Sequence, residues 1–108
     1  MPASKEVFRP VPGGGQRVTP GATSSSAISL GITDDSIDVA RFYNTKTVDV
    51  FIRLGNSTVA SATTTTDFAI PAGEAYDVGI QGFTHYTHIA ESGVGGDLIV
   101  NLGAYVKV

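Results

Sequence analysis

The amino-acid sequence predicts an all-β fold, an antiparallel β-sandwich or jelly roll of about eight short strands with an extended N-terminal arm. Three observations support this prediction. Ser and Thr account for 21 and Gly for 13 of the 108 residues, while the straight-chain residues that favour helices are scarce. From residue 23 onward, apolar and polar residues alternate, which is the pattern of strands with one buried face. Turn signals rich in Gly, Pro, Asn and Asp recur roughly every 8–12 residues, the spacing of short antiparallel strands.

Residues 1–21 differ from the rest of the chain. They contain three consecutive glycines at 13–15 and four of the five prolines, which are Pro2, Pro10, Pro12 and Pro20. Such a segment favours extended backbone and is expected to be disordered alone in water. We therefore divide the chain into an extended arm, residues 1–21, and a β-sandwich domain, residues 22–108. The arm is expected to lie on its own domain, on a neighbouring subunit or on a different protein.

The predicted strands follow one another through short connections. The clearest of them places its aliphatic side chains on one face and Asp49, Phe51 and Arg53 on the other. The tight connection at 44–47 predicts that the two strands flanking it form a hairpin, and Gly103 is expected to interrupt a strand. In order, the predicted strands are residues 24–30, 37–43, 48–54, 58–62, 67–70, 74–80, 84–90, 97–102 and 104–108.

Composition narrows the possible functions. The formal net charge is -3, and the seven basic residues are scattered along the chain instead of forming the stripe typical of nucleic-acid binders. The chain contains no Cys, which excludes disulfides and thiolate metal sites and suggests folding in a reducing cytoplasm. No apolar run reaches the length of a transmembrane helix, and no signal peptide is visible. We therefore expect neither nucleic acid nor membrane as a partner.

The polar residues do not predict catalysis or metal binding. His85 and His88 are three positions apart on a predicted strand, so their side chains should point to opposite faces. Asp34, Asp35 and Asp38 lack the spacing of a calcium loop and are better explained as a turn in which carboxylates accept backbone N–H groups. No nucleophile with a neighbouring base can be assembled. We expect a protein that is not an enzyme and that carries no cofactor and no metal.

Two arginines lie on apolar strands. Arg53 shares a face with Asp49, so the two side chains could form an ion-pair ladder on the outside of the sheet. Arg41 and Arg53 could instead form ion pairs between subunits, because Arg is enriched in interfaces. The sequence leaves both interpretations open.

The central part of the chain, roughly residues 41 to 103, carries a series of strand and turn motifs: RFYN at 41–44, VFIRLG at 50–55, IPAG at 70–73, THIA at 87–90 and LIVNLG at 98–103. This series resembles the small β-sandwich virion proteins of tailed bacteriophages, several of which serve as head decoration or cement proteins. The resemblance implies a structural, non-enzymatic viral protein on the capsid surface of the virion, made in the host cytoplasm. It also implies the major capsid protein as partner, and we expect a homo-oligomer, a dimer or trimer.

From these considerations we expect the protein to stabilise the phage head by bridging neighbouring major capsid protein subunits. The candidate interface residues are four apolar residues of the arm and the two strand arginines: Val7, Phe8, Val11, Val18, Arg41 and Arg53. The alternative is a module associated with the tail, neck or a fibre, which binds a receptor or glycan through the loops at 63–67 and 91–96.

Overall fold

The computed structural model describes residues 6–93 and 95–107 of the chain. Within these ranges the fold is all-β and contains no helix, and hence none long and apolar enough to cross a membrane. Its elements, in chain order, are β1 (Glu6–Val18), β2 (Ile28–Ser29), β3 (Val39–Asn44), β4 (Val50–Gly55), β5 (Phe68–Ile70), β6 (Ala75–Gly79), β7 (His85–Ala90) and β8 (Leu98–Lys107).

The eight strands form two four-stranded sheets. The first sheet has the order β1-β8-β3-β6 and the second β2-β7-β4-β5, with every described pair antiparallel. The first sheet contains the pairs β1–β8 and β3–β6 and the second the pairs β2–β7 and β4–β5, as if one long hairpin had been folded over itself. This winding is the strand order of a jelly roll with two Greek keys. The predicted all-β sandwich is therefore confirmed.

Within the described part of the predicted arm, residues 6–21, residues 6–18 form an edge strand of the first sheet. β1 pairs with β8 from Glu6 opposite Lys107 to Val18 opposite Leu98, with a register shift between Pro10 and Gly15. Of the three expected locations of the arm, its own domain is the one found here. The glycines at 13–15 lie in the irregular part of the ladder, where Gly13 adopts a positive φ of 75°.

The expected hairpin around residues 44–47 is wrong, because β3 belongs to the first sheet and β4 to the second. The connection crosses between the sheets at a corner that Asn44 holds in place. Its buried side-chain amide donates to the carbonyl oxygens of Val48 (2.8 Å) and Ile70 (2.9 Å), and its Oδ1 accepts the N–H of Lys46 (2.8 Å). A turn sequence alone does not distinguish such a crossing from a hairpin.

Three predicted strand boundaries also differ from the structure. β8 continues through Gly103, which pairs with Pro10 on one side and Val39 on the other. Residues 58–62 are not a strand, and only Ile28 and Ser29 of the predicted strand 24–30 pair regularly. Residues 58–62 instead lie against the second sheet, where the Ala60 carbonyl accepts the hydroxyl of Thr87 (2.8 Å).

The core lies between the two sheets. It is built by residues of five strands, β3, β4, β5, β7 and β8, and of the two connections that contain Leu30, Ile37 and Ile80. Phe42 of β3 meets Tyr86 of β7 edge to face at 5.8 Å. Packing of this kind contributes about 0.5–1.5 kcal/mol beyond the burial of area. The buried hydrophobic cluster comprises Leu30, Ile37, Ala40, Phe42, Val50, Ile52, Ile70, Ile80, Tyr86, Ala90, Leu98, Val100 and Leu102.

Candidate functional site

The outer face of the first sheet carries a group of exposed and partly exposed side chains, most of which contact one another. Strand alternation turns Phe42 into the core and Arg41 and Tyr43 outward, and the β-ladders place Asp77 beside Arg41 and Phe8 beside Tyr105. Tyr43 and Tyr105 are 41% and 45% exposed. We call the surface formed by Phe8, Arg41, Tyr43, Asp77 and Tyr105 the Tyr105 face.

Four of these residues form one connected network. The Arg41 guanidinium donates through Nε to Asp77 Oδ1 (2.6 Å) and through Nη2 to Asp77 Oδ2 (2.9 Å), and it lies 4.3 Å from the centroid of the Phe8 ring. The Tyr105 hydroxyl donates to the same Asp77 carboxylate, and its ring meets Phe8 edge to face at 6.3 Å. The network ties β1, β8, β3 and β6 together across the whole outer face.

The hydrogen bonds of the network also shift the pKa values of Asp77 and Tyr105. Hydrogen bonds from Arg41 hold the pKa of Asp77 below its ordinary value of 3.8, although partial burial opposes the shift. The same carboxylate raises the pKa of the Tyr105 phenol, because it accepts the phenolic hydrogen bond. At neutral pH the network therefore carries the ionised Asp77 carboxylate, the Arg41 guanidinium and the un-ionised Tyr105 phenol.

A shallow groove of about 490 Å³ lies between Tyr105 and β6. Asp38 contributes a carboxylate oxygen, Oδ1, that is buried and has no hydrogen-bond partner. Among the described residues, no basic side chain lines this groove, so its polar groups are carboxylates, an amide and a phenol. Its lining consists of Asp38, Val39, Asp77, Gly79, Gln81 and Tyr105.

The structure brings two of the six predicted interface residues together. Phe8 and Arg41 meet on the Tyr105 face, as described above. Arg53 lies on the second sheet, where its Nε donates to Asp67 Oδ1 (2.8 Å). The ion pair between Asp49 and Arg53, one of the two interpretations that the sequence left open, is not formed. Asp49 instead accepts the backbone N–H of Ala72 (3.3 Å).

The apolar residues of β1 have different environments. Val11 and Val18 are partly buried and pack against the core of their own domain. Val7 is 38% exposed near the beginning of β1, on the side of the strand opposite to Phe8. Thus Val11 and Val18 stabilise the sandwich, while Val7 and Phe8 remain near its surface.

Sequence reasoning did not single out Asp77 and Tyr105. Each occupies an outward position in a strand, which the alternation of the sequence shows for Asp77. The pairing of β3 with both β6 and β8, which brings the two side chains to Arg41, links residues far apart in the chain. No local pattern reveals such a pairing.

The two loops of the alternative function lie in different places. In the loop at 63–67, Asp67 Oδ2 accepts the N–H of Thr63 (2.7 Å), so its polar groups are used internally beside Arg53. In the loop at 91–96, Glu91 Oε1 accepts the N–H of Asp49 (3.2 Å). Asp49 and Arg53 are four residues apart along the second sheet, roughly 13 Å.

The histidines and aspartates behave as structural residues. His88 faces the core and His85 the outside of the second sheet, as expected from their spacing. Burial lowers the pKa of His88 below its ordinary value of 6.5. Asp34 Oδ1 accepts the N–H (2.7 Å) and the hydroxyl (2.6 Å) of Ser36, which is the predicted turn. Within residues 6–93 and 95–107, no three potential metal ligands come together.

The geometry of the site is the basis for its functional interpretation. Comparison of this chain with protein-family models, with curated proteins and with solved structures finds no match.

Proposed function

We propose that this protein is a non-enzymatic decoration or cement protein of a tailed-bacteriophage head, which bridges neighbouring major capsid protein subunits on the capsid surface. The observation that carries the proposal is the jelly-roll strand order of a short domain whose described residues form no helix. Viral capsid domains are among the proteins in which this architecture recurs. Since a fold hosts several functions, the residues 41–103 that resemble phage virion proteins provide the second support.

The Tyr105 face is the surface that we assign to the capsid. It is a broad side of a four-stranded sheet, and it exposes two tyrosines and a partly exposed arginine. Tyr and Arg are the residue types enriched at protein interfaces. The Arg41–Asp77 pair and the rings of Phe8 and Tyr105 hold these groups in one arrangement before binding, which reduces the entropy lost on association.

The decisive experiment is co-sedimentation of the purified protein with undecorated phage capsids. Removing residues 2–20 is not a clean test, because the deletion would also remove β1 from the first sheet. We would use Tyr43→Glu on the Tyr105 face, and Phe83→Ser as a control. Phe83 is 37% exposed and lines a different groove, beside Asp34 and Gln81.

We expect saturable binding by the wild type and by Phe83→Ser, and binding weakened about tenfold or more by Tyr43→Glu, which introduces a charge into the centre of an interface. Equal binding of both variants would assign the capsid contact to another surface. Failure of the wild type to bind capsids would contradict the proposal. A glycan array would then test the tail, neck or fibre alternative.

A further inference from the structure

The four edge strands of the described sandwich are unequally protected against pairing with another chain. β1 carries Pro10 and Pro12 and is interrupted by a register shift. β2 and β5 contain only two and three residues. Prolines, bulges and short length are the devices by which natural proteins block sheet edges. β6 has five residues, no proline, no lysine and an uninterrupted register with β3.

The backbone of β6 points half of its polar groups away from the sheet. The carbonyl of Glu74, just before the strand, accepts the N–H of Asn44 on the β3 side (2.9 Å), and the N–H of Ile80, just after it, donates to Asp38 (2.9 Å). Backbone direction alternates along a strand. Ala75, Asp77 and Gly79 therefore direct their N–H and C=O groups to the open edge.

The side chains along this edge are aromatic on the inner side of the sheet and acidic on the outer side. On the inner side, Tyr76 of β6 and Phe68 of β5 are 37% and 49% exposed, and their ring centroids lie 5.8 Å apart. On the outer side stands the carboxylate of Asp77, beside the groove that Asp38 also lines. Arg41 pairs with Asp77 from the β3 side, so the pair presents its carboxylate toward the open edge, and β6 itself carries no basic side chain.

We propose that β6 is the docking edge for an extended segment of a partner protein, which adds to the first sheet as a fifth strand. The segment would carry a basic side chain opposite Asp77 and apolar side chains against Phe68 and Tyr76. Backbone hydrogen bonds to Ala75, Asp77 and Gly79 would supply affinity, and the side chains would supply specificity, as in other cases of strand addition. Opposite charges on paired strands are favourable.

A second copy of the same strand fits this edge poorly. Antiparallel pairing that uses all three outward residues would place Asp77 directly opposite its own equivalent, and like charges in that position destabilise a sheet. The partner is therefore a different extended segment with alternating apolar and basic residues. Such docking does not depend on capsid binding through the Tyr105 face, so the two can fail separately.

The test uses the whole protein labelled with ¹⁵N and a short acetylated, amidated peptide, Thr-Val-Thr-Val-Lys-Val-Thr. The matched control peptide carries Glu in place of Lys. We expect the lysine peptide to shift the amide signals of Ala75, Asp77 and Gly79 and to slow their hydrogen exchange, and the Glu peptide to bind about tenfold more weakly. Unchanged signals at millimolar peptide, or equal binding of both peptides, would overturn the proposal.

Two variants locate the binding edge. Gly79→Pro removes an outward N–H, whereas Gly79→Ala keeps it. A Cβ at this position meets no atom within 4 Å, and proline is tolerated where a strand N–H faces away from the sheet. We expect loss of peptide binding in Gly79→Pro and in a second blocking variant, Ala75→Pro, and unchanged binding in Gly79→Ala. Binding that survives in a folded proline variant, or dimerisation through β6, would count against a foreign segment at this edge.

Discussion

Gln16 fastens the N-terminal strand, an edge of the first sheet, to the second sheet. Its Oε1 accepts the hydroxyl of the fully buried Tyr86 (2.9 Å), and its Nε2 donates to the carbonyl oxygens of Ser29 (2.8 Å) and Leu30 (3.2 Å). Burial raises the pKa of Tyr86 to about 12, so this phenol remains a hydrogen-bond donor. One side chain thus connects β1 with the edge and the centre of the second sheet.

We expect Gln16→Ala to lower the free energy of unfolding by about 1–3 kcal/mol, because it leaves a buried hydroxyl and two carbonyls without their partner. Arg17→Ala is the matched control on the same strand. The Arg17 side chain is 63% exposed and pairs with Asp97 at the surface, a type of pair that contributes at most about 1 kcal/mol. Urea unfolding of both variants measures the difference, and equal losses would contradict the role given to Gln16.

His88 should make stability depend on pH. Its side chain lies in the core beside Tyr86, with ring centroids 6.2 Å apart, and its buried Nδ1 has no hydrogen-bond partner. Burial disfavours the charged imidazolium and lowers the pKa below 6.5. As the pH falls below 6.5, the unfolded chain takes up a proton that the folded protein resists. Stability is therefore complete above pH 6.5 and is lost as the pH falls toward the folded pKa.

We expect the free energy of unfolding to fall by at most about 1.4 kcal/mol per pH unit in this window. Urea midpoints measured in steps below pH 7 would show the slope, which His88→Gln should abolish. His85→Gln, on the outer face of the same strand, should retain it. The carboxylates of Asp34, Asp77 and Asp97, whose pKa values lie below 3.8, titrate at lower pH. A slope unchanged in His88→Gln would refute the assignment.

At the scale of the strand, Gly103 determines how closely β1 approaches β8. A Cβ at this position would collide with the carbonyl oxygen of Arg9 and lie 2.8 Å from the Phe8 ring. The ring of Phe8 can pass over β8 to reach Arg41 because Gly103 has no side chain. The sequence predicts a break at this glycine, since glycine weakens strands in general, but here the glycine permits a close approach of β1 to β8.

We expect Gly103→Ala to destabilise the protein by about 1–3 kcal/mol through overpacking. Gly79 lies in the same cross-strand row, opposite Val39, and has open space around it. Gly79→Ala should be neutral or stabilise by up to about 1 kcal/mol. Chemical denaturation distinguishes the two, and a Gly103→Ala protein as stable as the wild type would show that β1 can move away without cost.

At the scale of the whole molecule, the jelly-roll winding pairs the two ends of the described chain. Val7 faces Val106 in the β1–β8 ladder, and the native chain has no Cys. Cα atoms of such partners lie about 4.5–5.5 Å apart, which suits a disulfide. The double variant Val7→Cys/Val106→Cys therefore reports whether β1 pairs within its own chain or with a second copy.

Oxidation should give a cross-linked monomer on a non-reducing gel, with a gain of up to about 4.7 kcal/mol for closing a loop of about 100 residues. The single variant Val7→Cys is the control for random oxidation. A covalent dimer formed by the double variant, beyond that of the control, would show that β1 is exchanged between copies. That result would revive the neighbouring-subunit location expected from the sequence.

The fold class was predictable because alternation and turn spacing are local. The inward positions of Val50, Ile52 and Leu54 follow directly from that alternation. The strand order was not predictable, because the pairs β1–β8 and β3–β8 join segments distant in sequence. The sequence did not show that the arm pairs within its own domain, for a related reason. Its prolines and glycines disfavour a helix but permit an edge strand, and the partner strand β8 lies at the other end of the chain. The Tyr105 face depends on the same distant pairings.

The adjacent ends of the described part of the chain also determine how the domain carries mechanical load. Glu6 and Lys107 are direct partners, and the hydrogen bonds between antiparallel strands run perpendicular to the strand axes. A force that pulls these two ends apart would therefore unzip the β1–β8 ladder, breaking one residue pair after another as far as the irregularity between Pro10 and Gly15. A neighbour that holds this domain under tension must grip a sheet face or the β6 edge, where many contacts share the force at once.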